Sequence, residues 1–133
     1  TNTGVPPSFI IFDDIISSIN QNDKFFKCFI STFRHYNISV FISVQYIHQV
    51  APLIRQQANY AFIFHHEQKK SIESLFYSFG GCFETERDFK KFLQDLTKER
   101  YHCLVYIKDE YDKDKKYLDY KAPAEIPKIK LKY

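Results

Sequence analysis

The chain has 133 residues, of which 44% are hydrophobic and 18% aromatic, so it can bury the core of one domain and is not an intrinsically disordered chain. Its net charge of +3 is too small by itself to indicate a nucleic-acid-binding protein. No apolar run approaches the roughly 20 residues of a membrane-spanning helix, so we expect no membrane span. Three widely spaced cysteines argue against a disulfide framework or a zinc site, and we expect buried free thiols in a reducing compartment.

The first predicted element is a strand that ends in two carboxylates. Residues 9–12 form a continuous apolar run, typical of a strand buried on both faces of a parallel sheet, and Asp13 and Asp14 follow directly. Side chains at the carboxyl end of such a strand point into the crevice where open α/β sheets bind ligands. Acids there are typical of a Walker B strand, in which one acid serves Mg²⁺ and the next serves the attacking water. The alternative is a buried strand that ends in a solvated turn, because Asp is also a common turn residue.

Helical and strand patterns alternate over the next fifty residues. Apolar residues recur at helical spacing after Asp23, a plausible N-cap, and this helix is predicted to end near residues 34–37. A strand rich in β-branched residues follows at 38–45 and ends in an amide, Gln45. Pro52 can open a short helical turn that contains Arg55, and residues 60–64 form a third predicted strand.

The second half of the chain contains two amphipathic helices and two further strands. The first helix covers 71–79 and is closed by two glycines, and the second begins at Thr85 with a start resembling a capping box. Residues 101–107 form a fourth strand, and a mixed-charge run from residue 108 is expected to be a solvated turn. Residues 117–120 are a possible edge strand.

The order of these elements predicts an α/β fold. Strands that alternate with helices indicate a mainly parallel sheet flanked by helices. We expect one domain over residues 1–121 and an extended, lysine-containing tail over residues 122–133.

Four polar residues, which follow one another along the chain, could supply the groups of a phosphoryl-transfer site: Asp13, Asp14, Gln45 and Arg55. Such a site needs a metal ligand, a group that orients water and a positive charge near the γ-phosphate. The sequences FIIFDDI at 9–15, FRHYNISVFISVQY at 33–46 and PLIRQQANYAFIF at 52–64 resemble the poxvirus-type genome-packaging ATPases of the large nucleocytoplasmic DNA viruses. These belong to the FtsK/HerA superfamily of P-loop ATPases. Beyond residue 64 the resemblance is only a shared order of helices and a strand.

The resemblance implies a role for each of these residues. Asp13 takes the place of the Walker B acid that holds Mg²⁺, directly or through water. Asp14 stands where the superfamily more usually has Glu, the base that polarises the hydrolytic water. Gln45 matches the polar sensor of the γ-phosphate, with a simple strand cap as the alternative. Arg55 matches an arginine finger that reaches the nucleotide of a neighbouring subunit, with a solvated helix residue as the alternative.

A basic pair, Arg34 and His35, also matches these viral proteins. The resemblance assigns the pair loosely to a subunit contact or to phosphate sensing. The alternative is a helix C-terminus, where positive charge is favourable.

One departure from the family is large. A P-loop ATPase needs a G-x-x-x-x-G-K-[ST] sequence, whose amides and lysine cradle the phosphates, and no part of this chain matches it. We expect the first strand, the phosphate loop and its helix to lie upstream of Thr1, so that the fold is a partial P-loop NTPase, incomplete on its N-terminal side. The 133-residue chain alone is expected neither to bind ATP tightly nor to hydrolyse it.

The function implied by the resemblance is that of a part of a viral DNA-packaging motor. In the whole protein, hydrolysis of ATP with Mg²⁺ around a homo-oligomeric ring would drive double-stranded DNA into a capsid. Its partners would include capsid or membrane-associated virion components. Its location would be the host cytoplasm or the virion. The alternative is a non-catalytic, degenerate P-loop-like module that binds protein or, through Lys128, Lys130 and Lys132, a polyanion. Another P-loop class, such as a helicase or a chromosome-partition ATPase, is a third possibility.

Overall fold

The computed structural model describes residue 4 and residues 6–125, which form strands and helices that alternate over the first half of the chain. Three short 3₁₀ turns lie between them, at Ile16–Ser18, Phe33–Tyr36 and Ile47–Gln49. The strands and helices of the described residues are β1 (Ser8–Asp13), α1 (Lys24–Thr32), β2 (Ile38–Ser43), α2 (Pro52–Gln57), β3 (Tyr60–Ile63), α3 (Lys69–Phe79), α4 (Glu86–Thr97), β4 (His102–Ile107), α5 (Lys113–Lys116) and β5 (Tyr117–Lys121).

Side-chain caps start two of the helices as the sequence predicts. The Asp23 carboxylate accepts a hydrogen bond from the backbone N–H of Phe26 at 3.0 Å, which begins α1. The Thr85 hydroxyl accepts from the N–H of Asp88 at 3.1 Å and donates to the Asp88 carboxylate at 2.6 Å, so the predicted capping pair at α4 is confirmed. The predicted solvated turn after residue 108 is partly wrong, because Asp112 caps the short helix α5 in the same way.

The strands form two separate sheets, and only one of them is parallel. β1 and β2 pair in parallel, from Ser8 opposite Ile38 to Asp13 opposite Ser43. β3, β4 and β5 form an antiparallel sheet in that order. The chain therefore has an α/β fold, but the prediction of a mainly parallel sheet is wrong for its second half. Two helices instead of one connect β3 to β4, and the segment between β4 and β5 is too short for a parallel crossover.

Two hydrophobic clusters form the core, one beneath each sheet. Ile47 packs against both of them. The first consists of Ile16, Phe26, Ile30, Val50 and Ile54. The second consists of Ile63, Ile72, Leu75, Phe79, Phe89, Leu93 and Leu104.

The opposite face of the parallel sheet is open. Phe9 is 68% exposed and Ile11 is 59% exposed, and Phe41 of β2 lies exposed beside Phe9 with the two rings edge to face. The prediction that β1 is buried on both faces is therefore wrong for the described residues. The physical reason is that the core cluster with α1 and α2 packs against one face only.

The three cysteines are free thiols, as predicted, but their predicted burial is wrong for two of them. Cys103 on β4 is buried, whereas Cys82 is half-buried and Cys28 is exposed on α1.

The predicted division into a domain and a tail stays a prediction. Residues 126–133 of the tail, with Lys128, Lys130 and Lys132, lie outside the described residues, as do residues 1–3 and 5. Within the described residues, no helix is both long and apolar enough to cross a membrane.

Gly80 ends α3 at a point where a side chain does not fit. A Cβ at Gly80 would lie 2.7 Å from the Phe76 carbonyl oxygen and 2.5 Å from its ring, whereas a Cβ at Gly81 would meet no atom within 4 Å. We therefore expect Gly80→Ala to lower the free energy of unfolding by about 1–3 kcal/mol, and Gly81→Ala to change it little. Urea denaturation of both variants measures the difference, and equal stabilities would contradict the close packing at Gly80.

Candidate active site

The parallel register of β1 and β2 brings the predicted polar residues together. Asp13 ends β1 directly opposite Ser43, the last residue of β2. The backbone N–H of Asp14 donates to the Ser43 carbonyl at 3.0 Å, so the pairing continues one residue beyond the strand. Because the carboxyl ends of neighbouring parallel strands meet at one edge of the sheet, Asp14 and Gln45 also lie there.

Two side-chain hydrogen bonds connect the strand ends. The Ser43 hydroxyl donates to Oδ1 of Asp13 at 2.9 Å. Gln45 donates from Nε2 to Oδ2 of Asp14, also at 2.9 Å. We call these four residues the carboxylate cluster. All four are exposed, so the cluster is open to a ligand from solvent.

The backbone at Asp14 adopts a left-handed conformation, with φ of 53°. Among residues other than glycine, Asp and Asn tolerate this region best. The turn separates the two neighbouring carboxylates, so that Asp13 bonds to Ser43 and Asp14 bonds to Gln45. The two acids therefore have different surroundings although they are adjacent in the chain.

The donor set of the carboxylate cluster suits Mg²⁺ better than a metal that needs a complete protein cage. No group of three or more His, Cys, Asp or Glu residues that could hold a metal ion occurs among residue 4 and residues 6–125. Mg²⁺ usually keeps several waters and takes only one or two protein carboxylates together with substrate phosphates. Asp13 keeps one carboxylate oxygen that Ser43 does not occupy, so Asp13 fits such an ion.

Sequence reasoning missed Ser43. Ser43 is the last residue of β2, and only the register of β1 against β2 places it beside Asp13. Without knowledge of the pairing, a serine within a β-branched run reads only as an exposed strand residue.

Arg55 lies on α2 and bonds to α3. Its Nη1 donates to the Ser78 hydroxyl at 2.8 Å and reaches the Ser74 carbonyl at 3.5 Å. Its Nε is buried and has no hydrogen-bond partner in the described part of the chain. The alternative of a freely solvated helix residue therefore does not fit. The carboxylate cluster and Arg55 have no ion pair between them within the described residues, and the role of Arg55 toward a neighbouring subunit stays a prediction.

Arg34 joins the turn before β2 to the end of α2. Its Nη2 donates to the carbonyl of Gln57, the last residue of α2, at 2.6 Å, and its guanidinium lies over the Phe33 ring. This bond satisfies a free carbonyl at a helix C-terminus. His35 is exposed in the same 3₁₀ turn. The assignment of Arg34 and His35 to a subunit contact stays a prediction.

A histidine near the end of β3 has a shifted proton affinity. Burial, and after it the charge of the neighbouring His65, lower the pKa of His66 below its usual value. His66 is therefore neutral at pH 7. His65 Nδ1 lies 3.1 Å from the Thr97 hydroxyl on α4, which ties the loop after β3 to the core of the second sheet.

Comparison with known proteins finds similar solved structures, whereas no protein-family profile and no curated protein matches the chain. The genome packaging NTPase B204 from Sulfolobus turreted icosahedral virus 2, in complex with AMPPCP, has a TM-score of 0.66 at 16% identity. That match covers 88% of this chain and 53% of that chain. The complex of the same NTPase with ATP-gammaS has a TM-score of 0.64 at 16% identity. That match covers 85% of this chain and 53% of that chain.

A third match is the DNA-packaging ATPase B204 from Sulfolobus turreted icosahedral virus, with a TM-score of 0.64 at 15% identity, covering 85% of this chain and 51% of that chain. At such identities the likeness shows the fold alone. The chain has the α/β fold of part of a viral genome-packaging NTPase, and it spans about half the length of these structures.

Proposed function

We propose that this chain is the part of a viral DNA-packaging ATPase that provides the Walker B acids and the polar sensor. The observation that supports this most is the carboxylate cluster, in which Ser43 holds Asp13 and Gln45 holds Asp14 at the adjacent ends of two parallel strands. The fold shared with packaging NTPases supports the same function.

The two acids have separate tasks in this proposal. Asp13 holds Mg²⁺, which when bound neutralises charge on the phosphate oxygens. Asp14 accepts a proton from the attacking water or orients it. Gln45 holds the Asp14 carboxylate through its Nε2, and its Oε1 is an acceptor that can align the same water. Because Asp is one methylene shorter than Glu, either the water lies closer to the end of β1 or Asp14 is a weaker base.

The remaining assignments concern the assembled protein. We assign Arg55 to the nucleotide site of a neighbouring subunit in a homo-oligomeric ring, and Arg34 with His35 to a subunit contact. Double-stranded DNA is the proposed substrate of translocation, contacted through its backbone. The proposed partners are capsid or membrane-associated virion components, and the proposed location is the host cytoplasm or the virion. The proposed family is the poxvirus-type branch of the FtsK/HerA superfamily.

ATP binding requires residues that this sequence does not contain. The phosphate-binding sequence G-x-x-x-x-G-K-[ST] is absent from the 133 residues. We therefore propose that nucleotide binding and hydrolysis belong to a complete protein in which such a loop faces the carboxylate cluster. ATP turnover by the 133-residue chain itself, lost on Asp14→Asn, would contradict this.

A change at Gln45 tests the sensor. In the complete ATPase, Gln45→Ala removes the hydrogen bond to Asp14 and one water-orienting acceptor, and we expect hydrolysis to fall about 10²-fold. ATP affinity should stay unchanged, because Gln45 acts on the attacking water through Asp14 in this proposal, whereas Asp13 is the residue assigned to Mg²⁺. Steady-state phosphate release measures the first quantity and equilibrium nucleotide binding the second.

The matched control for Gln45 is Gln68→Ala. Gln68 is exposed at the start of α3 and makes no side-chain cap hydrogen bond, so its loss should leave hydrolysis unchanged. Normal turnover by Gln45→Ala would refute the sensor assignment.

A non-catalytic binding module is the second candidate. The exposed apolar face that contains Phe9, Ile11 and Phe41 favours it, because such a patch commonly contacts another polypeptide. Normal ATP hydrolysis by variants of both acids in the complete protein would favour this module over the motor.

A further inference from the structure

Arg55 is a half-buried cation that lacks a carboxylate partner in the described part of the chain. A guanidinium keeps its charge at any ordinary pH and carries five N–H donors. Among the described residues only Nη1 makes hydrogen bonds, and Nε is buried without a partner. Nη2 therefore keeps its two donors for an acceptor from outside these residues. A half-buried charge of this kind is stabilised by an anion.

The hydroxyl of Ser78 on α3 is oriented as an acceptor toward Arg55. Ser78 donates its single proton to the Ser74 carbonyl, one turn earlier in the same helix, at 2.7 Å. The lone pairs of its oxygen consequently remain for Nη1 of Arg55, which donates to it at 2.8 Å. This contact holds one side of the guanidinium and leaves the other side unoccupied.

The backbone of α2 is fixed at both ends, so the position of the guanidinium depends on its own side chain. At the start of α2, the N–H of Ala51 donates to Oε1 of Gln21 at 2.6 Å. At its end, the carbonyls of the last two residues accept from Nζ of Lys108 at 2.5 Å and from Nη2 of Arg34 at 2.6 Å. The long side chain of Arg55 has several rotamers available on this fixed backbone, and the bond to Ser78 selects among them.

A small cavity of about 190 Å³ lies beside Arg55 and Ser78, between α2 and α3. Its other lining residues are Pro52, Gln56 and Tyr77, so no acid opposes an anion there. Pockets that enclose a whole small-molecule ligand usually measure about 300–1,000 Å³. The cavity therefore suits a phosphate group presented from outside better than a complete nucleotide.

We propose that Ser78 is a positioning residue, which holds the Arg55 guanidinium ready for the γ-phosphate of ATP bound by a neighbouring subunit. This inference rests on the proposed function, which assigns Arg55 to that nucleotide. Ser78 itself contacts no phosphate and acts only through Arg55. Without its hydroxyl, the guanidinium has to be ordered at the moment of reaction, and even a small displacement of such a group slows the chemical step.

The first test is Ser78→Ala in the complete ATPase. We expect kcat to fall by about 10- to 10²-fold while KM for ATP stays unchanged, because the arginine acts on charge that develops in the transition state. Alanine is a strong helix former, so α3 should remain folded, and thermal unfolding checks this. Ser78→Thr keeps a hydroxyl that can bond to the carbonyl one turn earlier, and its kcat should stay within about threefold of the original.

The matched control is Ser31→Ala on α1. The Ser31 hydroxyl donates to the Lys27 carbonyl at 2.9 Å, as Ser78 donates to that of Ser74, but it lies exposed and bonds no arginine. Its loss should leave hydrolysis unchanged. An equal loss of kcat in Ser31→Ala and Ser78→Ala would overturn the positioning role.

A double variant separates positioning from a merely structural effect. Arg55→Ala alone should lower kcat by about 10³-fold or more. Ser78→Ala added to Arg55→Ala should cause no further loss, because Ser78 has no function without the guanidinium. A further 10- to 10²-fold loss in the double variant, about the full effect of Ser78→Ala alone, would show that Ser78 acts independently and would overturn the proposal.

Failure of this inference is distinguishable from failure of the proposed function. Normal kcat in Ser78→Ala together with a large loss in Arg55→Ala would refute the role of Ser78 and leave that of Arg55 intact. Normal kcat in Arg55→Ala would refute the assignment of Arg55 to the neighbouring nucleotide, and the role of Ser78 with it.

Discussion

Replacing Asp14 with Asn in the complete ATPase is expected to lower ATP hydrolysis by about 10²- to 10⁴-fold without loss of the fold. The change removes the carboxylate that would accept a proton from water and keeps the shape of the side chain. Asn also tolerates the left-handed backbone of position 14, where φ is 53°. Its amide oxygen can still accept the hydrogen bond that Gln45 donates, so the cluster keeps its geometry.

Phosphate release at saturating ATP measures this effect. The matched control is Asp95→Asn, an equivalent change at an exposed position of α4, for which we expect unchanged hydrolysis. Thermal unfolding of both variants separates a chemical loss from misfolding. An Asp14→Asn protein that folds normally and hydrolyses ATP at the original rate would show that Asp14 is not the catalytic base.

Phe89→Ala is expected to lower the free energy of unfolding by about 3–5 kcal/mol. Phe89 on α4 is 0% exposed, and its ring packs against those of Phe76 and Phe83 at centroid distances of 6.0 and 5.4 Å. Truncation leaves a cavity in the cluster under the antiparallel sheet. Because small domains are stable by only about 5–15 kcal/mol, the change removes a large share of the total.

Urea denaturation followed by circular dichroism measures this loss. The control is Phe25→Ala on α1, where the ring is 82% exposed and the expected change is within about 0.5 kcal/mol. Similar losses for the two variants would mean that Phe89 is not part of the main core in solution.

The local structure of this protein was largely predictable from its sequence. Apolar spacing placed the main helices and strands, because each element buries one face and its period follows from backbone geometry. The caps at Asp23 and Thr85 were predictable because they depend on residues only three positions apart. The short helix α5 was missed, since all four of its residues are charged and have no apolar period.

The candidate site was predictable in part for a similar reason. Asp13, Asp14 and Gln45 each follow an apolar strand, and parallel pairing of adjacent strands brings such ends together. The contribution of Ser43 was not predictable, because it depends on the register of β1 against β2. The bonds of Arg55 to α3 were also beyond sequence reasoning, since they join residues 23 and 19 positions apart on two helices.

The sequence by itself determined the elements, their caps and the acids and amide that follow the first two strands, because these features depend on neighbours along the chain. Only the tertiary structure decided the division into a parallel sheet of β1 and β2 and an antiparallel sheet of β3, β4 and β5. Strand pairing joins residues far apart in sequence, and its direction depends on the length and path of the connection between two strands. The register that places Ser43 beside Asp13 follows from that pairing, and no local pattern encodes it.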